Sequence, residues 1–301
     1  MTSRLTTTST ATFGVAPSGF RLPDATRVGG VRLQVARLQR SLAYYRDVIG
    51  LRVIAASADT ATLGAPGSES ALVTLHQVAG TRPVPRRGVF GLFHFAILLP
   101  ERAALGRFLA HLASKNVRVG MSDHKVSEAL YLNDPDGLGI EVYADRPREV
   151  WQAVERQLVM ATDPLDVESV VAAGGDTPWD GVPAGTTMGH VHLHVGDLEE
   201  AAALYHRTIG FDMTVWSYPG ALFLSAGGYH HHLGTNTWSP GPSPAPDVAK
   251  LLEWTLVVPA PSDAEAVGRR LLESGYAATQ DGQAWTVNDP WRTPMRVAVE
   301  A

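Results

Sequence analysis

The chain has 301 residues, 45% of them hydrophobic, with a formal net charge of −5 and no cysteine. That length has room for about two domains with sizeable cores. No apolar run approaches the roughly 20 residues of a membrane span. A mild negative charge without a clustered basic stretch gives no support for nucleic-acid binding, and the lack of cysteine excludes disulfides and thiolate ligands, so any metal must be held by nitrogen and oxygen.

Residues 1–28 begin Ser/Thr-rich with no apolar core of the kind a signal peptide has. They read as a disordered tail, and a cytoplasmic location is the default expectation. An internal repeat follows. Met188-Gly189-His190-Val191-His192-Leu193-His194-Val195 alternates apolar and polar residues, the pattern of a half-buried strand with its three histidines on one face. Asp197 then caps a helical pattern running to Gly210. Earlier by 160 positions the same register recurs without a gap, but His190, His192 and His194 become Gly30, Arg32 and Gln34. The fold therefore does not need those histidines.

Two further segments share the pattern. Phe93 to Pro100 matches Leu252 to Pro259, each followed by a helical stretch, an Asn-Asp-Pro turn and a closing strand. The expected fold class is α+β: four βαβββ modules at 29–78, 92–145, 188–236 and 252–300, forming two cupped mixed-sheet barrels. In chain order these group as a first domain (29–146), a linker with a helix-like stretch at Arg148 to Leu158 (147–187), and a second domain (188–301). One module leaves its sheet face and edges uncovered, so two must associate to bury a shared concave surface.

Chemistry concentrates in modules 2 and 3. Module 2 carries His94 on its first strand, then His124, Tyr131 and, on its closing strand, Glu141. At the matching positions module 4 has Glu253, Thr286 and Arg296 in place of His94, Tyr131 and Glu141. A Glu in an otherwise apolar strand is costly unless paired or ligated. Module 3 adds His230-His231-His232 near its end, where alternation directs His230 and His232 to one side and His231 to the other. Most other histidines, such as His76, His111 and His206, read as structural.

Repeated βαβββ modules with a first-strand His and a closing-strand Glu resemble the vicinal oxygen chelate superfamily (glyoxalase/bleomycin resistance/dioxygenase). Within it the motifs resemble the two-domain extradiol catechol 2,3-dioxygenases. The resemblance implies a non-haem Fe(II) site, with Mn(II) as the other metal suited to it, ligated by His190, His94 and Glu141. It implies catalytic roles for His232, Tyr131 and His124, with His192 and His231 bordering the substrate. The implied partners are a catecholic small molecule and O2, with neither nucleic acid nor membrane; a homo-oligomer is compatible with it. One departure from the family is that the intact halves are modules 2 and 3, not the third and fourth. A single site then requires module 2 to pair with module 3; the other arrangement pairs 1 with 2 and 3 with 4. Two other activities fit the same fold. A glyoxalase-type isomerase or lyase would take a fourth metal ligand from the end of module 3, and a metal-free binding protein of the resistance type would need no converging ligands.

Overall fold

The computed structural model describes residues 13–85 and 88–300. All four modules are present. Module 1 comprises β1 (Arg27–Val35), α1 (Leu38–Tyr44), β2 (Arg52–Ala56), β3 (Thr60–Gly64) and β4 (Val73–Gln77). Module 2 comprises β5 (Gly91–Leu99), α2 (Arg102–Ser114), β6 (Gly120–Asp123), β7 (Ser127–Asn133) and β8 (Gly139–Asp145). After the linker elements β9 (Ala153–Val154), β10 (Gln157–Leu158) and α3 (Val167–Gly174), module 3 runs through β11 (Thr187–His194), α4 (Leu198–Ala201), β12 (Asp212–Val215), β13 (Ala221–Ser225) and β14 (Leu233–Asn236). Module 4 closes the chain with β15 (Lys250–Val258), α5 (Pro261–Glu273), β16 (Ala278–Asp281), β17 (Ala284–Asn288) and β18 (Pro294–Val299). No helix among the described residues is long and apolar enough to cross a membrane.

The strands form two eight-stranded sheets that cross the chain-order grouping. One has the order β12-β13-β14-β11-β5-β8-β7-β6, so it is made of modules 3 and 2. The other, β16-β17-β18-β15-β1-β4-β3-β2, is made of modules 4 and 1. Each is joined at its centre by an antiparallel pair of first strands, β11 with β5 and β15 with β1. The register is the same in both. His192 lies opposite His94 in one, and Arg32 lies opposite Glu253 in the other. There the Arg32 guanidinium sits 3.7 Å from the Glu253 carboxylate, and Arg296 stands where the first sheet has Glu141. The second sheet thus carries charged side chains where the first has His192, His94 and Glu141.

Modules adjacent in sequence are tied by helix and turn instead. In modules 1 and 3 the helix widens to π turns, at Tyr45–Ile49 and Ala202–Ile209, and ends on a left-handed glycine, Gly50 or Gly210. The first turn of each widened stretch brings a buried tyrosine to the Asn-Asp-Pro turn of the next module. Tyr45 donates to Asp134 at 3.3 Å, and Tyr205 donates to Asp289 at 3.1 Å. Both aspartates also accept backbone N–H groups within their turns.

Two expectations change here. The stretch 148–158 is not a helix. It holds one 3-10 turn (Arg148–Val150) and the short hairpin β9–β10, whose turn places Glu155 and Arg156 at positive φ of 50° and 66°. Burial of Trp151 and Leu158 beside Tyr229 and Phe223 overrides the local helical pattern. The linker helix is α3, where Asp166 caps the Ser169 N–H. Residues 13–26 are not a loose tail either: Leu22 is buried, its N–H donates to Gly210, and Val15 forms a bridge with Met213. The expected disorder of residues 1–12 falls outside the described residues.

Burial pushes the carboxyls of Asp134 and Asp289 up to about 6. A carboxyl ordinarily titrates near 4 in an unfolded chain. The folded state then binds these protons more tightly, so their contribution to stability is complete below about pH 4 and is lost as pH rises through about 6. The double variant Asp134→Asn, Asp289→Asn is expected to gain stability relative to wild type as pH rises from 4.5 to 7. Urea midpoints at the two pH values measure this; parallel behaviour of the two proteins would contradict it.

Candidate metal centre

The site lies on the β11–β5 seam and the two strands beyond it. Across the sheet, His190 is opposite Ala96, Ala96 is opposite Glu141, and Glu141 is opposite Tyr131. Directly opposed residues share a face, so this row spans four strands on the concave side. His94 is two residues before Ala96 on β5 and so lies on the same face, beside His192. The methyl of Ala96 forms the floor between three larger polar side chains. Gly189 has a separate role: a methyl there would lie 1.8 Å from the Tyr143 hydroxyl oxygen, so only glycine lets Tyr143 pack beside His190.

Nε2 of His94 and Nε2 of His190 lie 3.0 and 3.1 Å from the same oxygen, Oε2 of Glu141. All three groups are buried, and one ligand atom of each falls within 4.8 Å of the others. The His94 nitrogen makes no hydrogen bond of acceptable geometry despite its proximity to the carboxylate. A buried, orphaned nitrogen ordinarily costs stability. Two ligands about 2.1 Å from one ion and at right angles to it would be about 3.0 Å apart, so the spacing fits a shared divalent cation. Charge fits as well. Burial would raise the Glu141 carboxyl, but the two facing imidazoles outweigh it and hold the group well below its usual range. Burial pushes His190 down to about 4 against the pull of Glu141. At neutral pH the pair is a carboxylate beside a neutral imidazole, the form that binds metal.

A cavity of about 220 Å³ opens over this cluster. His124, Tyr131, His192 and His231 all line it, as the sequence reading expects. His124 bridges the Ala161 carbonyl at 2.6 Å and the Tyr131 hydroxyl at 2.5 Å. Burial holds the Tyr131 phenol well above its ordinary value, so it stays protonated. His192 accepts from Asn236 at 3.0 Å, and the same Asn236 side chain accepts from His194 at 2.7 Å. A methyl at Gly234 would lie 2.8 Å from the His192 ring, so the missing side chain makes room for it.

His232 is not in the cavity. Its Nδ1 accepts from the Ala226 N–H at 3.2 Å, and its ring faces a separate groove beside Tyr229 and Arg148. The alternation rule does not apply to this segment because β14 begins only at Leu233; the three histidines sit in the irregular chain before it. His231 instead packs on His190, with ring centroids 4.1 Å apart. Burial first, then the neighbouring imidazoles, holds His231 well below its ordinary range.

The rest of the wall is Phe93, Tyr218, Phe223, Trp238, Ser122 and the linker segment Met160 to Thr162. Trp216 is a partly exposed residue outside it. The linker contribution had no signal in the sequence, since its place is set by contacts far along the chain, such as Thr162 with Tyr218 at 2.9 Å. His76 and His206 are satisfied by Thr60 and by the Phe211 carbonyl, consistent with structural roles.

The floor residue provides a direct test. Ala96→Leu is expected to abolish binding of one divalent ion per chain while leaving a folded protein, at an overpacking cost of about 1–3 kcal/mol. Metal content after loading, with circular dichroism as the folding control, checks this. Stoichiometric metal in a folded variant would contradict the placement.

Comparison with known proteins identifies relatives of the chain. A family model described as Glyoxalase/Bleomycin resistance protein/Dioxygenase superfamily matches residues 27–142. The chain is 43% identical over 272 residues to the catechol-2,3-dioxygenase of Bacillus subtilis (strain 168), a match covering 89% of this chain and 95% of that protein. Among solved structures, a candidate dioxygenase from Bacillus subtilis subsp. subtilis str. 168 has a TM-score of 0.64 at 16% identity, covering 93% of this chain and 86% of its own. Glyoxalase I from Zea mays has a TM-score of 0.54 at 18% identity, covering 91% and 92%. At those identities the structural likenesses speak for the fold alone. From the sequence match and the fold together, the chain belongs to the glyoxalase/bleomycin resistance protein/dioxygenase superfamily, and within it to the extradiol dioxygenases.

Proposed function

We propose that the protein is an Fe(II)-dependent extradiol dioxygenase that opens a catechol ring beside its two hydroxyls, with both atoms of O2 entering the product. The observation that carries this reading is the convergence of two imidazoles and one carboxylate beneath an open cavity. Such a set leaves three metal positions for other ligands, enough for two vicinal oxygens and O2, and Mn(II) accepts it too. When bound, the metal would bring the two reactants together and pass electrons between them.

The chain's own residues bind the ring and handle its protons. His231, neutral and in the cavity wall, takes a proton from a substrate hydroxyl and later returns it. The Tyr131 phenol, held by His124, hydrogen-bonds a substrate oxygen. His192 borders the ring. An isomerase of the glyoxalase type would draw a fourth ligand from the end of module 3. The candidate for it, His232, is engaged with the Ala226 amide instead, which favours the three-ligand reading.

The cavity wall also speaks to the ring substituents. Among its lining residues there is no Lys or Arg, and its wall includes Phe93, Tyr218, Phe223, Trp238 and Met160. A carboxylate placed there would lose water and gain no Lys or Arg partner. The substrate is therefore catechol itself or a catechol with a small uncharged substituent.

Loading with Fe(II) anaerobically, adding catechol and then admitting air tests the reaction. A yellow ring-fission product is expected from wild type and not from His190→Ala; a colourless wild-type reaction with bound iron would contradict the proposal. His231→Asn is expected to lower kcat by about 100-fold or more while His232→Asn stays near wild type. The reverse order would restore His232 to the reacting group. Methylcatechols are expected to exceed carboxylated catechols in kcat/KM by at least about tenfold, and equal turnover would overturn the substituent assignment.

A further inference from the structure

Behind the cavity wall lies a set of buried polar groups that the ligand set does not use. Nδ1 of His231 is 2.7 Å from Nδ1 of His230, whose ring is fully buried. On the far side of that ring, Nε2 of His230 is 2.9 Å from Oδ1 of Asp145. The same oxygen accepts the Tyr229 hydroxyl at 3.2 Å, and the Tyr229 oxygen lies 2.6 Å from the Tyr143 hydroxyl. Asp145 ends β8, four residues after Glu141, and its side chain is 27% exposed. A continuous line of groups therefore runs from the cavity to the surface, with Asp145 supplied by module 2 and the two histidines by module 3.

Counting hydrogens along that line determines what faces the substrate. An ionised carboxylate only accepts, so Nε2 of His230 carries the hydrogen. A neutral imidazole has one N–H, which leaves Nδ1 of His230 as an acceptor. Two nitrogens 2.7 Å apart need one hydrogen between them, and His231 must supply it from Nδ1. Nε2 of His231 is then a bare lone pair, and it is the one ring nitrogen left to address a molecule in the cavity. A doubly protonated His230 would satisfy the same distances. A 15N spectrum distinguishes that form from the neutral ring.

We infer that Asp145 and His230 are positioning residues that fix His231 as its Nδ1–H tautomer, with Nε2 presented to the substrate. The inference rests on reading His231 as the proton-handling residue of the dioxygenase. A third group that sets the tautomer and direction of a catalytic imidazole is a recurrent device in proton transfer.

The test combines a spectrum with a variant pair. In the zinc-loaded full chain with 15N-labelled histidine, two-bond 15N–1H spectra should show His231 protonated at Nδ1 and bare at Nε2. His230→Leu removes the acceptor and is expected to lower kcat at least about tenfold with KM changed less than threefold. His230→Asn keeps an acceptor oxygen near the lost Nδ1 and should restore most of that loss. A His231 protonated at Nε2, or a doubly protonated His230, would overturn the inference. So would equal loss in both variants, the mark of a packing role. The spectrum does not depend on turnover. A bare Nε2 in a protein that leaves catechol intact would sink the functional reading while the tautomer assignment stands.

Discussion

Everything at the candidate metal centre depends on one antiparallel seam, the pairing of β5 with β11. His94 and His190 are almost a hundred positions apart in the chain, and this ladder brings them to one face of the sheet. A shift of one residue in either strand would turn its histidine to the opposite face. Glu141 enters through the parallel pairing of β8 with β5, again in register with Ala96. Three strands thus place three donors without any flexible loop, and Ala96, between His190 and Glu141 in the row, is small. Buried donors aimed at one point are costly for the fold alone, and the matching positions in the second sheet carry Gly30, Glu253 and Arg296 instead.

The exchange of partners between modules has its own physical logic. Sheets join 2 with 3 and 1 with 4, while helices and turns join 1 with 2 and 3 with 4. The two buried Tyr–Asp contacts, Tyr45 with Asp134 and Tyr205 with Asp289, hold the sheets against each other. The linker reinforces this, because it crosses back over the cavity and uses Ala161 to hold His124. Tyr131 is oriented in turn by His124, so a segment between modules influences a residue of the cavity wall.

Much of this was legible in the chain itself. Period-two alternation and the repeat across 160 positions reveal four modules, because both are local and recur. The three candidate ligands stand out because each has a counterpart in a copy that lacks it: Gly30 for His190, Glu253 for His94, Arg296 for Glu141. What was not legible depends on irregular backbone or on distant contacts. His230 to His232 lie in irregular chain before β14, so neither alternation nor the family resemblance that selected His232 shows that His231 lines the cavity while His232 faces another groove. The Arg148 to Leu158 stretch has a helical pattern, yet tertiary burial of Trp151 and Leu158 makes it a hairpin. Asn236 and Asp145 hold histidines from other parts of the chain, and neither has a motif that announces this.

The central claim is that a single chain gathers His94, His190 and Glu141 around one ion. X-ray absorption at the iron edge of the Fe(II)-loaded protein tests it most directly. The account predicts one iron per chain, a first shell of nitrogen and oxygen at about 2.0–2.2 Å, and outer-shell scattering from two imidazole rings that falls to one in His94→Ala and in His190→Ala. Iron without imidazole scattering, or scattering unchanged in both variants, would contradict it.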